Sequence, residues 1–138
     1  MKESIRALPA VERAARMPSF AKLTSVFERL KAIMLPYAAN LAIKRDTPTK
    51  FYVDTRYMQK NGKPIFFGAV LINVGYVSYH LMPVYLNPGL LKFVSTALIQ
   101  HMQDTTSFNF TEIDEVMFRE LSTLTKAAYA SFKERGFV

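Results

Sequence analysis

From Phe20 onward, apolar residues fall at steps of three and four, namely Phe20, Leu23, Phe27, Leu30 and Met34. That spacing lines one face of an α-helix. Ser19 stands ahead of the first as an N-cap and Pro36 follows the last, so the pattern predicts a helix with one buried stripe ending near Pro36. At Leu41 the period becomes two. Leu41, Ile43, Phe51, Val53, Thr55 and Tyr57 alternate with Lys44, Asp46, Tyr52, Asp54 and Arg56, as half-buried strands do. Asp46-Thr47-Pro48-Thr49 marks the turn between the first two strands, and Asn61-Gly62 is a hairpin signal because both residues tolerate positive φ. Residues 65–72 are apolar on both faces, as a central strand can be. A turn at Asn73-Val74-Gly75 leads into a strand over 76–82.

Asn87-Pro88 opens a further predicted helix, with Leu91, Val94, Leu98 and Met102 on one face. Ser107-Phe108-Asn109-Phe110 alternates as a short last strand. Glu112, Asp114 and Glu115 then suit the positive end of a final helix whose stripe is Met117, Leu121, Leu124, Ala128 and Phe132. Lys133, Arg135 and Gly136 close it. The predicted order is α-β-β-β-β-α-β-α, with no repeat and no low-complexity tract.

Helices with one apolar stripe and a sheet with one apolar face satisfy each other when the helices pack on that face. The expected class is therefore α+β, an antiparallel sheet of about five strands with helices on one side. Phe20, Phe27, Leu30, Phe67, Leu71, Leu121, Leu124 and Phe132 are the expected shared core. Alternation assigns Lys44, Asp46, Tyr52, Asp54, Arg56, Ser78, His80 and Asn109 to the opposite, open face, while Phe51, Val53, Val77, Tyr79 and Leu81 point toward the helices. Residues 1–17 carry a looser helical pattern, interrupted at Met17-Pro18-Ser19, and read as an N-terminal arm or short helix ahead of a domain over 18–138.

Composition agrees with a folded body: 138 residues suit one domain, and 50% apolar residues with 13% aromatics supply a core. The absence of cysteine removes disulfides, thiol nucleophiles and cysteine-based metal sites. The first residues are charged throughout and lack the apolar block of a secretory signal, and the apolar run over 64–72 is too short to cross a bilayer as a helix. A cytoplasmic location with no membrane partner is expected. The formal charge of +7 favours polyanionic partners electrostatically, although its ordinary reading is a solvated basic surface.

The chemistry-bearing motifs are few. No G-x-S-x-G elbow and no Gly-rich phosphate loop is present, so no catalytic residue is assigned and enzyme activity is not expected. With only His80 and His101, a histidine-rich metal site is excluded; a mixed site of His80, Asp46 and Asp54 is conceivable, but a hydrogen-bonded strand histidine is the plainer reading. Asp46 and Asp54 could act as paired carboxylates, or form salt bridges with neighbours such as Arg45 and Arg56. Lys44, Arg45, Lys50, Tyr52, Arg56, Tyr57 and Lys60 interleave cations with aromatic rings, as single-stranded nucleic-acid sites do, but half of them point toward the core by alternation. No cofactor and no metal ligand is assigned.

Several stretches resemble the YdhG-like family of bacterial proteins, a domain of unknown function with a frataxin-like arrangement. They are Ile43-Lys44-Arg45-Asp46-Thr47-Pro48, the Asn61 to Gly68 segment, the Tyr76 to Pro83 segment, and Ser107-Phe108-Asn109-Phe110 leading into the last helix. The resemblance covers about residues 20–138. It implies the same α+β architecture, and it implies iron handling as an activity of some members. The first helix here offers Glu28 amid Lys22, Arg29 and Lys31, not the acidic ridge that hard iron prefers. The expectation is thus a small binding or interaction domain using its open sheet face. Tyr52, Asp54, Arg56, Ser78 and His80 form the candidate site, for a small polar ligand or a protein partner. An iron-handling chaperone and a nucleic-acid-associated protein are the alternatives.

Overall fold

The structure, a computed structural model, describes residues 18–138. The expected N-terminal arm lies outside the described residues. Helix α1 spans Phe20–Met34, starting where the Ser19 hydroxyl accepts the Lys22 N–H at 3.1 Å. It buries Leu23, Val26, Phe27, Leu30 and Met34. Phe20 departs from the expected core: it is 62% exposed, because the first turn overhangs the sheet beside the Asn73–Gly75 turn instead of lying on it. A 3-10 segment, Leu35–Asn40, carries Pro36 and ends the helix.

Strands β1 (Ala42–Asp46), β2 (Lys50–Met58), β3 (Pro64–Asn73) and β4 (Tyr76–Leu81) follow, then α2 (Met82–Leu86), a 3-10 segment (Pro88–Phe93), α3 (Thr96–Ile99), β5 (Ser107–Phe110) and α4 (Glu115–Glu134). The five strands lie in the order β1-β2-β3-β4-β5, all antiparallel. The two hairpin turns rest on positive φ at Gly62 and Gly75. Beyond β5, residues 101–103 run alongside it, with Asn109 N–H donating to the His101 carbonyl and Gln103 N–H to the Ser107 carbonyl, which covers that edge.

The helix expected from Pro88 to Met102 is interrupted. Val94 is extended, and Ser95 caps a separate short helix by accepting the Leu98 N–H. Glu120 of α4 fixes the break, accepting from both the Ser95 N–H and the Ser95 hydroxyl. The apolar spacing of Leu91, Val94 and Leu98 is satisfied without a continuous helix, since each reaches the core from a different piece of backbone.

The helices and the apolar sheet face share one core. Met117, Leu121, Leu124, Ala128 and Phe132 of α4 are all buried, as the pattern requires. Inside this core the Thr125 hydroxyl donates to the Leu121 carbonyl, so its oxygen is left to accept from the Tyr79 hydroxyl at 2.7 Å. Burial holds the Tyr79 phenol well above its ordinary range, with the bond to Thr125 partly opposing the rise.

Three register shifts decide which residues reach the open face. In β1 the shift falls between Ile43 and Arg45, so Arg45 opposes Tyr52 and Asp46 opposes Phe51. Directly opposed residues share a face, and Asp46 therefore sits on the helix side, where Lys31 Nζ meets its carboxylate at 2.6 Å above the Phe51 ring. In β3 a bulge at Phe67 lets Val53 oppose Gly68 while Asp54 opposes Phe66. Phe67 and Gly68 consequently both face the helices, and alternation beyond them is inverted. Val70 and Ile72 pair with Tyr79 and Val77 of the core, whereas Leu71 pairs with Ser78 and leaves the core expected of it. The third shift, between Asp54 and Met58, re-aims Arg56.

Candidate functional site

The open face is organised in cross-strand rows. One row runs Arg45–Tyr52–Ala69–His80–Ser107 across all five strands; Lys50, Leu71, Ser78 and Asn109 flank it on one side, and Ala42, Asp54 and Phe66 on the other. Tyr52, Asp54, Ser78 and His80 thus share one surface, as alternation expects. Arg56 does not join them. Its guanidinium Nη2 donates to the Ala39 carbonyl at 3.3 Å, at the 3-10 segment on the helix side of the sheet. Asp46 is likewise absent, and Lys44 stands close enough to Asp54 to oppose the upward shift of its carboxyl.

Two kinds of surface meet there. Tyr52 and Phe66 stack with ring centroids 4.6 Å apart and planes at 26°, forming an aromatic wall next to Ala69, the residue opposite Tyr52. On the β4 side, Ser78 Oγ accepts from Asn73 Nδ2 at 2.9 Å and pairs with His80 Nε2 at 2.9 Å, with the histidine tautomer setting which atom donates. Ser78 is buried and His80 half-buried. Desolvation lowers the His80 pKa, partly opposed by Asp104, so its neutral form is favoured.

Asp54 is the exception to this satisfaction. The residue is only 8% exposed, yet among the described residues its carboxylate has neither an ion-pair nor a hydrogen-bond partner. No fully enclosed side-chain oxygen or nitrogen in the described residues lacks a partner, so the Asp54 oxygens sit at the rim, open to whatever approaches. Desolvation pushes the Asp54 carboxyl above its ordinary value, with Lys44 pulling it back. Burial also raises the Tyr52 phenol, with Asp54 adding to that rise. A carboxylate held this way offers up to four lone-pair positions to a donor.

Among the described residues no group of three or more His, Asp or Glu side chains is placed to hold a metal ion. The conceivable site of His80, Asp46 and Asp54 is not assembled, because Asp46 lies on the other face. The paired-carboxylate reading fails for the same reason. His101 stacks on Phe110 and bonds the Asn109 carbonyl through Nδ1, away from the open face. Among the described residues, no helix is long and apolar enough to cross a membrane.

Sequence reasoning missed Phe66, Leu71 and Asn73 as members of this surface. The signal for them was weak, since residues 65–72 are apolar on both faces; only Gly68, a small residue mid-strand, hinted at a bulge. Comparison with protein-family models, with curated proteins and with solved structures finds no match.

Proposed function

We propose that this chain is a small binding domain that takes a polar ligand on its open sheet face through Asp54. What supports this is the Asp54 carboxylate, set in a residue only 8% exposed with its oxygens open at the rim, without a partner among the described residues and beside an aromatic wall. Because these oxygens open at the rim, a ligand donor meets them directly and exchanges their water for a charge-assisted hydrogen bond beside the aromatic wall. The ligand chemistry that fits is an N–H donor, amine, amidine or amide, attached to a flat or apolar body that lies against Tyr52 and Phe66. His80 and Ser78, two strands away, supply a second polar contact. The YdhG-like assignment belongs to this proposal and rests on the sequence motifs over 43–48, 61–68, 76–83 and 107–110, and a cytoplasmic location belongs to it on the shortness of the apolar run over 64–72.

The test is a fragment titration followed by amide NMR, using amines and amidines, carboxylates, short single-stranded oligonucleotides and ferrous iron as separate arms. Amine or amidine fragments should shift the resonances of Tyr52, Asp54 and Phe66, and Asp54→Asn should weaken them about tenfold or more, the size of a lost bond to a charged group. Binding by oligonucleotide or iron alone, or amine binding that Asp54→Asn leaves untouched, would contradict the proposal.

A further inference from the structure

We infer that a second binding site, for an organic anion, lies on the helix side of the sheet between the end of β2 and the last turn of α4. The cleft there has a volume of about 460 Å³, and the residues that matter in its lining are Arg56, Tyr57, Tyr129, Lys133 and Phe137.

The backbone builds it. Asp54 opposes Phe66 and Met58 opposes Pro64, so residues 55–57 of β2 face Ile65 alone, and the Thr55 hydroxyl bridges the irregularity by donating to the Ile65 carbonyl at 2.8 Å. Such a distortion re-aims side chains. Arg56, which regular alternation would place with Tyr52 and Asp54, is turned into the cleft, with one nitrogen anchored on the Ala39 carbonyl. On the opposite wall, Gly136 at φ +78° ends α4 and lets Phe137 fold back. The Phe137 ring lies 4.9 Å from Tyr57 and 5.3 Å from Phe132, centroid to centroid.

Charge then selects the occupant. Arg56 and Lys133 both line the cleft, and among the described residues neither is paired with a carboxylate, including the α-carboxylate of Val138, which lines the same cleft and leaves the two cations in excess. The negative end of α4 does not cancel them. The Phe132 and Lys133 carbonyls already accept from Phe137 and Gly136 N–H groups, and a helix terminus carries only about half a charge. A guanidinium fork beside an ammonium matches the oxygens of a carboxylate or phosphate. Tyr57 and Phe137 offer a stacking surface for an aromatic or apolar body attached to it. The two sites are independent, since one presents an acceptor to donors and the other presents cations to anions.

The full chain titrated with phenyl phosphate, inorganic phosphate and phenol, each followed by amide NMR, tests this. Phenyl phosphate should bind saturably and shift Tyr57, Lys133 and Phe137. Inorganic phosphate should bind more weakly at the same residues, and phenol should not saturate. Arg56→Gln should lose at least tenfold in affinity, Lys133→Gln should also weaken binding, and Asp54→Asn should bind phenyl phosphate as the parent does. Lys133→Gln, at an exposed helix position, keeps the test valid should Arg56→Gln not fold. No saturable response to phenyl phosphate, shifts confined to Tyr52 and Phe66, or binding that survives loss of both cations would overturn the inference.

Discussion

Replacing Gly68 by alanine is expected to destabilise the fold by about 3 kcal/mol, the upper range for a forced overpacking. A Cβ at this position would stand 2.6 Å from the His80 carbonyl oxygen and 2.6 Å from Met34 Cε. The methionine end can swing aside. The carbonyl cannot, because β4 is held in register on both sides, by β3 and by β5. Gly68 is thus the point where α1 comes down onto β3, and its lack of a side chain is a packing requirement. Urea unfolding measures the effect; a loss below about 1 kcal/mol would show that the close approach of helix and strand is not real.

Phe67→Ala and Leu71→Ala should differ sharply, although strict alternation along β3 treats the two residues alike. Phe67 is fully buried, with its ring edge-on to Tyr129 and Phe132 at centroid distances of 6.1 and 6.0 Å. Truncating it removes an aromatic side chain from a packed core, for about 3–5 kcal/mol. Leu71 is half-buried on the open face opposite Ser78. Its truncation should remain within about 1 kcal/mol, because solvent can fill what is removed. Equal losses for the two variants would mean that the bulge at Phe67 is misplaced and that β3 alternates throughout.

The elements that a linear pattern reveals are those whose cause is local. The stripes of α1 and α4, the cap at Ser19 and the turn at Asn61-Gly62 were all legible, since each depends on residues within a turn or two of one another. The register shifts were not, because each brings together residues far apart in the chain: Met34 with Gly68, Lys31 with Asp46 and Ala39 with Arg56. This divides the candidate site in a regular way. Tyr52 and Asp54 lie in a run of β2 whose own alternation is unbroken, and Ser78 and His80 lie in β4, where no shift occurs, so alternation placed all four correctly. Asp46 and Arg56 lie just past a shift in their own strands and were assigned to the wrong side. The break at Ser95 was hidden for a similar reason, as Glu120 of α4 holds it.

Whether Asp54 serves a ligand or the fold is decided by the stability of Asp54→Asn across pH. Desolvation raises the folded carboxyl above its ordinary value, so the folded state binds more protons than the unfolded one as the pH crosses that interval. The contribution of Asp54 is therefore most favourable below the ordinary carboxylate pKa and is lost as pH rises through the raised value. At pH 7 the ionised carboxylate is a net burden, and asparagine removes it. Unfolding in urea at pH 7 should find Asp54→Asn as stable as the parent or more so, with the difference fading at acid pH. A variant destabilised by about 2 kcal/mol or more at pH 7 would show that the carboxylate is held by the protein itself, and the binding role proposed for this face would fail with it.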